Sequence, residues 1–469
     1  MTDWLQQGKD AHERHDWNKA LDCYFHALNA NFNDNQTLHY LGTALHQMGY
    51  NGAAANILAR ATQTKPDNID SLVNLGACYF KEWDFKGAED VWTLALEQFQ
   101  KLRPDDKESA AGLLCNLAGI HTHAGDYDKA LPLYDRALAI LPANPAALGN
   151  RSMVDLAVGN WERGWAGYDQ HLKLNTRRSR TYKDVPEWDG SPGKTVIVYG
   201  EQGLGDEIMF ASMIPDLKAV CAHVIFDCHP RLVKTFERSF GVECHGTRKT
   251  TACEWFPNAK ADAVVAIGSL GKFFRNSADA FPGTPYIVSR AQRTRRQRMR
   301  VGISWKGGTK STGQHLRSFP LDAFAPLISA FPEVEWVSLQ YHPDAGQDVL
   351  AMYERTGLRL DHPPIALQAI DYDETLNLLA NIDLVITVPT TILHAAGALG
   401  VPCWVLVQKE AAWRETGNVQ GRGERMPWYD SVRLRHKTTE AWEPLIAQIM
   451  QELAAHPRLA SLALGAAAE

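Results

Sequence analysis

Thr195–Asp206 reads TVIVYGEQGLGD and runs straight into EIMFASMIPDL, residues 207–217. The β-rich apolar run Val196–Tyr199 ends in a glycine turn and continues into a helical pattern. That order predicts a strand, a tight loop and a helix start, the opening of a βαβ unit. Gly203 and Gly205 allow backbone to approach a ligand closely, and the free N–H groups of the new helix point at the loop. Asp206 stands at that mouth. Anion binding alone does not favour a carboxylate there, so one reading is acid/base chemistry; the other is a helix cap.

The same alternation continues downstream of Pro186. Strands are expected at 195–200, 222–227 and 262–267, and a second set from Val301 (VGISW) through 334–340, 383–388 and 402–407. Helices are expected at 321–330, 373–381 and 391–400. Two α/β halves with a cleft suit a nucleotide-containing ligand at the carboxyl ends of the strands. Three segments would meet there: GLGD at 203–206, the polar loop after Trp305 with Lys306, Lys310 and Arg317, and PTTILHAAGALG with Thr390, Thr391 and His394. Hydroxyls, free amides and an imidazole at a helix N-terminus make a diphosphate site, and Lys306 and Arg317 would neutralise a leaving diphosphate. Between the halves, residues 289–300 hold six arginines. A solvated linker, phosphate attraction and nucleic-acid contact all remain open for them.

The N-terminal third has a different period. Residues 35–68 place Leu38, Leu41, Gly42, Leu45, Ala54, Leu58, Ala61 and Pro66 in a 34-residue frame, and residues 69–102 repeat it with Leu72, Leu75, Gly76, Tyr79, Ala88, Trp92 and Ala95. Residues 1–34 match through Trp4, Gly8, Ala20, Tyr24 and Ala27; after a polar insertion at 103–109, residues 111–144 match again, and a weaker copy starts near Pro145. This pattern resembles the tetratricopeptide repeat (TPR) and implies a superhelix whose concave groove takes extended peptides. The sixth position of the frame, expected to face the groove, is Tyr40, Asn74, Asn116 and Asn150. Amides there can bind a peptide backbone without reading side chains; the alternative is that Asn is merely frequent at this place.

Composition bounds the rest. At 469 residues with 45% hydrophobic and 22% charged positions, the chain is expected to be a soluble protein of two or three domains. A net charge of −6 argues against a general nucleic-acid or anionic-membrane binder. Eight cysteines are scattered without CxxC spacing, and neither a structural metal nor a membrane span is expected. The start, MTDWLQQGKDAHERHDW, does not read as a signal peptide, so a cytoplasmic location is expected.

EQGLGDEIMF, VGISWKGG, HLRSFPLDAFAPL, VSLQ, DLVITVPTTILHAAGALGVPCWVLV, AWRE at 412–415 and PWYDSVRL together resemble the glycosyltransferase family 9, heptosyltransferase-like, domain. The resemblance is to bacterial proteins in which TPRs precede that domain, with a junction like GNWERGWAGYD at 159–169. It implies a TPR superhelix over 1–180, then a GT-B fold of two Rossmann-like halves at 190–290 and 300–469. It also implies inverting, metal-independent sugar transfer that uses a nucleotide sugar as substrate and no cofactor. Carried over, Asp206 is the general base, Arg317 a phosphate contact and His394 the histidine of the donor stretch, with Gln340 closing VSLQ among the donor contacts. That stretch opens on Pro389 where the family has Asp beside the donor sugar. A protein-directed transferase whose repeats recruit the acceptor is the expected function. The alternatives are a glycolipid- or oligosaccharide-directed enzyme and a degenerate scaffold.

Overall fold

The computed structural model describes residues 3–174, 176–177, 180, 182–248, 253–294, 296–308, 314, 317–363, 371–408, 412–417, 423–439 and 441–459. The chain divides into two compact units, Met1–Val154 and Asp155–Glu469.

The first unit is built of antiparallel helix pairs: Trp4–Glu13 with Trp17–Ala30, Asn35–Gln47 with Asn51–Thr64, Ile69–Lys81 with Phe85–Leu102, and Lys107–His123 with Tyr127–Ile140. Side chains of Asp3, Asp16, Asp34, Asn68, Asp84 and Asp106 cap helix N-termini by accepting a backbone N–H three residues on. The small residue at the eighth position lets the large one at the twenty-fourth reach its partner's backbone. A Cβ on Gly8 would lie 2.4 Å from the Tyr24 ring, on Gly42 2.5 Å from Leu58, and on Gly76 2.4 Å from Trp92. The polar insertion at 103–109 is absorbed as about one extra turn on each side: Phe85–Leu102 has 18 residues and Lys107–His123 has 17, against 14 and 13 in the preceding repeat.

The second unit holds two sheets. Strands β1 (Thr195–Tyr199), β2 (His223–Asp227), β3 (Glu243–His245) and β4 (Ala263–Ala266) form a parallel sheet in the order β3-β2-β1-β4. Strands β5 (Arg300–Ser304), β6 (Glu335–Ser338), β7 (Leu384–Thr387), β8 (Cys403–Val407), β9 (Arg425–Met426) and β10 (Tyr429–His436) form the other in the order β6-β5-β7-β8-β10-β9, parallel except for β9. The strand runs are buried on both faces, which is why they read as continuous apolar stretches. Each order reverses once, between β1 and β4 and between β5 and β7, the kind of place where open α/β sheets bind ligands. The short strand β3 and the pair β9–β10 were not among the expected elements.

One sequence expectation changes here. The repeat domain expected to reach residue 180 meets its compact boundary at Val154. The GNWERGWAGYD stretch packs inside the α/β unit: Trp165 donates to the Arg275 carbonyl at 2.8 Å, and its ring fills the space a Cβ on Gly271 would take. Among the described arginines at 289–300, Arg290, Arg293, Arg296 and Arg298 are exposed, as expected of a solvated linker, and several are ion-paired. Arg290 pairs with Asp373, Arg293 with Asp383 and Arg300 with Glu335, at 3.2, 2.7 and 3.3 Å, while Arg295 lies outside the described residues. All eight cysteines are free thiols. No helix among the described residues is long and apolar enough to cross a membrane.

Candidate functional site

The helix Leu204–Phe210 springs from the carboxyl end of β1, and Thr391–Leu399 from that of β7. Their first turns touch through Gly205, where a Cβ would stand 2.9 Å from His394 Cδ2 and 3.3 Å from Thr391 Cα. Glycine at 205 is therefore a matter of space, and the approach brings Asp206, Thr391 and His394 together.

Asp206 does two things. One carboxylate oxygen accepts from the Gly203 N–H at 3.2 Å, closing the start of its own helix. The other accepts from the Arg414 guanidinium, an ion pair with both partners largely shielded from water. Burial opposes the charge on Arg414, but Asp206 and Glu415 more than offset it and hold the guanidinium protonated. The neighbouring Glu415 is buried and pushed upward by desolvation against the opposing fields of Arg414 and Arg317.

His394 is almost fully enclosed, and burial lowers its pKa to about 4, so the ring is neutral at physiological pH. Its Nδ1 lies 3.2 Å from the Tyr429 hydroxyl. Tyr286 donates to the Ile208 carbonyl at 2.8 Å, and its oxygen lies 3.4 Å from the Tyr429 hydroxyl, so the three side chains form one chain of contacts. Thr390 is the N-cap of the same helix and accepts from Ile392 N at 3.2 Å.

Gln340 clamps the loop after β5. Its Oε1 accepts from Ser304 Oγ, Trp305 N and Lys306 N at 3.0, 3.0 and 2.9 Å, and its Nε2 donates to the Lys306 carbonyl at 3.0 Å. Its amide thus shapes the loop. The Lys306 ammonium is paired with Asp348. Gly307 packs against the Pro389 carbonyl, where a Cβ would stand at 2.6 Å, so the β5 and β7 loops meet at Pro389. Lys310 lies outside the described residues. One residue beyond Asp206, Glu207 is buried, held by Arg248 at 3.0 Å and by His229 N at 2.5 Å, and burial pushes its pKa to about 7.

Among the groove candidates, Asn74 spends an amide hydrogen on Thr43 Oγ1 at 2.9 Å, leaving its carbonyl for a ligand. Tyr40 stacks on Tyr24 at 6.1 Å with Lys9 over its ring. Asn116 and Asn150 are half-buried on their helices. Arg414, Glu415 and Tyr429 received no role from the sequence; AWRE and PWYDSVRL carry them without a periodicity that points anywhere.

The class these observations define is a protein with TPRs at its N-terminus, followed by an α/β region of parallel-strand sheets. The tetratricopeptide-repeat family model matches residues 67–143. Over 474 residues the chain is 27% identical to Protein FlbA of Caulobacter vibrioides, covering 92% of this chain and 75% of FlbA. Among solved structures, MamA aligns with 37% of this chain and 86% of its own at 19% identity and TM-score 0.30. TTC0263, a TPR protein of Thermus thermophilus, aligns with 36% of this chain and 89% of its own at 19% identity and TM-score 0.29.

Proposed function

We propose that the protein is a glycosyltransferase of GT-B architecture, moving a sugar from a nucleotide sugar to a protein or peptide held by the repeats. The observation that carries the reading is the meeting of Asp206 with the first turn of Thr391–Leu399 at the carboxyl ends of two parallel sheets. The first-turn N–H groups of that helix, the Thr390 hydroxyl and the neutral imidazole of His394 suit a diphosphate. Arg414 and Arg317 add positive charge nearby, which favours departure of the diphosphate. Asp206 supplies the carboxylate that takes the acceptor proton as its hydroxyl attacks the anomeric carbon. The sugar–diphosphate bond breaks as the new glycosidic bond forms on the opposite face, with inversion. TPRs are protein-interaction modules, and a groove-bound acceptor is presented at raised effective concentration.

The test is release of nucleoside diphosphate from a panel of UDP-, GDP-, dTDP-, CDP- and ADP-sugars. Wild type should hydrolyse at least one slowly, and Asp206→Asn should cut that turnover by about 10²–10⁴-fold while still binding the donor. Binding of nucleoside diphosphate without turnover on any acceptor would favour a scaffold. No binding at all would remove the donor site.

A further inference from the structure

The stretch GNWERGWAGYD, residues 159–169, and the chain that follows it touch the site from two sides. Tyr168 and Arg177 hold the loop that leads into Asp206. The Tyr168 hydroxyl accepts from Gln202 Nε2 at 2.9 Å. Arg177 donates to Glu201 Oε1 at 2.6 Å, and its guanidinium lies 4.2 Å over the Tyr168 ring. Glu201 also accepts from Gly268 N at 3.1 Å, and a Cβ on Gly268 would stand 2.7 Å from that carboxylate and 2.9 Å from Arg177. From elsewhere in the unit, Arg248 donates to the Gln202 carbonyl at 2.8 Å while paired with Glu207 at 3.0 Å. Gln202 is thus held by its side chain and by its carbonyl, four residues before Asp206.

The same piece of chain holds the segment of Arg414. Trp165 and Tyr168 meet the Trp413 ring edge to face, at 5.8 Å and 89° and at 6.2 Å and 67°. The Arg414 guanidinium lies 5.3 Å over that Trp413 ring. Two residues beyond Arg414, Thr416 donates its hydroxyl to the Ala157 carbonyl at 2.6 Å. Phe210, at the end of the helix that carries Asp206, closes the aromatic cluster 6.4 Å from Trp165 and 6.3 Å from Tyr168. Trp165, Tyr168, Trp413 and Thr416 are all buried. Tyr168 belongs to both sides. Burial pushes its hydroxyl up to about 12, and the charges of Arg414 and Asp206 both bear on it. A buried ion pair such as Arg177–Glu201 gains little net stability over apolar packing of the same volume. What it adds here is a fixed place for the loop.

We propose that Tyr168 and Arg177 are positioning residues of the Asp206–Arg414 pair. Tyr168 and Arg177 set the loop of Asp206; Trp165, the Tyr168 ring and the Ala157 carbonyl set the segment of Arg414; carboxylate and guanidinium meet because one piece of chain carries both. The consequence for turnover rests on the transferase reading above, whereas the coupling of the two segments does not.

The experiment is a pair of double-mutant cycles on the full chain, read by urea unfolding and by nucleoside diphosphate release from the nucleotide sugar that the wild type hydrolyses. Tyr168→Phe removes only the hydroxyl that Gln202 donates to, and Thr416→Val only the hydroxyl bonded to Ala157. Each is combined with Asp206→Asn. The urea midpoint of each double variant should shift by less than the sum of the single shifts, because members of one network couple while independent sites add. Tyr168→Phe, on the side of the base, should lower kcat about tenfold at an unchanged KM for the donor. Thr416→Val, on the side of the phosphate ligand, should raise that KM about fivefold. A residue that merely supports the fold would move neither constant. Additive midpoints in both cycles would overturn the proposal, and so would wild-type kcat and KM in both single variants. Coupled midpoints in a protein that hydrolyses no nucleotide sugar would keep the positioning role and refute the transferase reading instead.

Discussion

The carboxylate of Asp206, in the first turn of a helix leaving β1, is ion-paired with the guanidinium of Arg414, 208 residues further along the chain. The pair joins the helix on one sheet to a loop after the other. It also means that the proposed base is masked and the proposed phosphate ligand is occupied. On the proposed function, an incoming diphosphate competes with Asp206 for Arg414. Binding of inorganic pyrophosphate, measured by calorimetry, should therefore tighten about tenfold in Asp206→Asn, which removes the competing anion, and weaken about tenfold in Arg414→Gln. Wild-type affinity in both variants would detach the pair from phosphate binding.

His394 makes stability depend on pH with a definite sign. Its pKa is about 4 in the folded protein and near 6.5 in the unfolded chain. Between these values the unfolded state binds a proton that the folded state refuses. Stability from this residue is full above 6.5 and falls as the pH drops toward 4, by about 3 kcal/mol over the window. His394→Gln should flatten that part of the curve of urea midpoint against pH. An unchanged slope would place the acid sensitivity in other groups.

Gly76 and Gly52 separate two roles of glycine in the repeats. A Cβ on Gly76 meets Trp92, whose indole N–H is fixed on the Val73 carbonyl at 3.0 Å. Gly76→Ala should lose about 1–3 kcal/mol through overpacking. Nothing lies within 4 Å of a Cβ on Gly52. Gly52→Ala, in the helix Asn51–Thr64, should gain about 0.4–1 kcal/mol. Thermal unfolding of the two variants should move in opposite directions.

Gln340→Leu removes the acceptor for Ser304 Oγ, Trp305 N and Lys306 N and the donor to the Lys306 carbonyl. Buried groups left unpaired cost about 1–3 kcal/mol each, so the variant should lose at least about 2 kcal/mol in denaturant unfolding. A loss confined to pyrophosphate binding, with stability intact, would show Gln340 to be a ligand contact instead of a clamp.

Much of this architecture is legible locally. The 34-residue frame follows from helices that pair through small residues, and Gly8–Tyr24, Gly42–Leu58 and Gly76–Trp92 make the reason visible. Strands at β1, β5, β7 and β8 announce themselves because both faces are buried and the apolar run is unbroken. Helix starts at Leu204 and Thr391 follow from glycine and threonine before an apolar pattern. The extent of the repeat unit was less legible, since the helical pattern of Trp161–Tyr168 does not reveal that its aromatic face packs on Phe210 and Trp413.

What the sequence by itself determined is the order of the elements and the candidate residues that each presents at its end: Asp206, Gln340, Thr390 and His394. These depend on periodicity and on backbone freedom over a few neighbouring residues. Only the tertiary structure decided their partners. Arg414 reaches Asp206, Tyr429 orients His394, Asp348 takes Lys306, and Gln340 turns inward to hold a loop. Those partners come from segments tens to hundreds of residues away. Charge pairing and burial are set by distance in space, and local pattern carries no record of it.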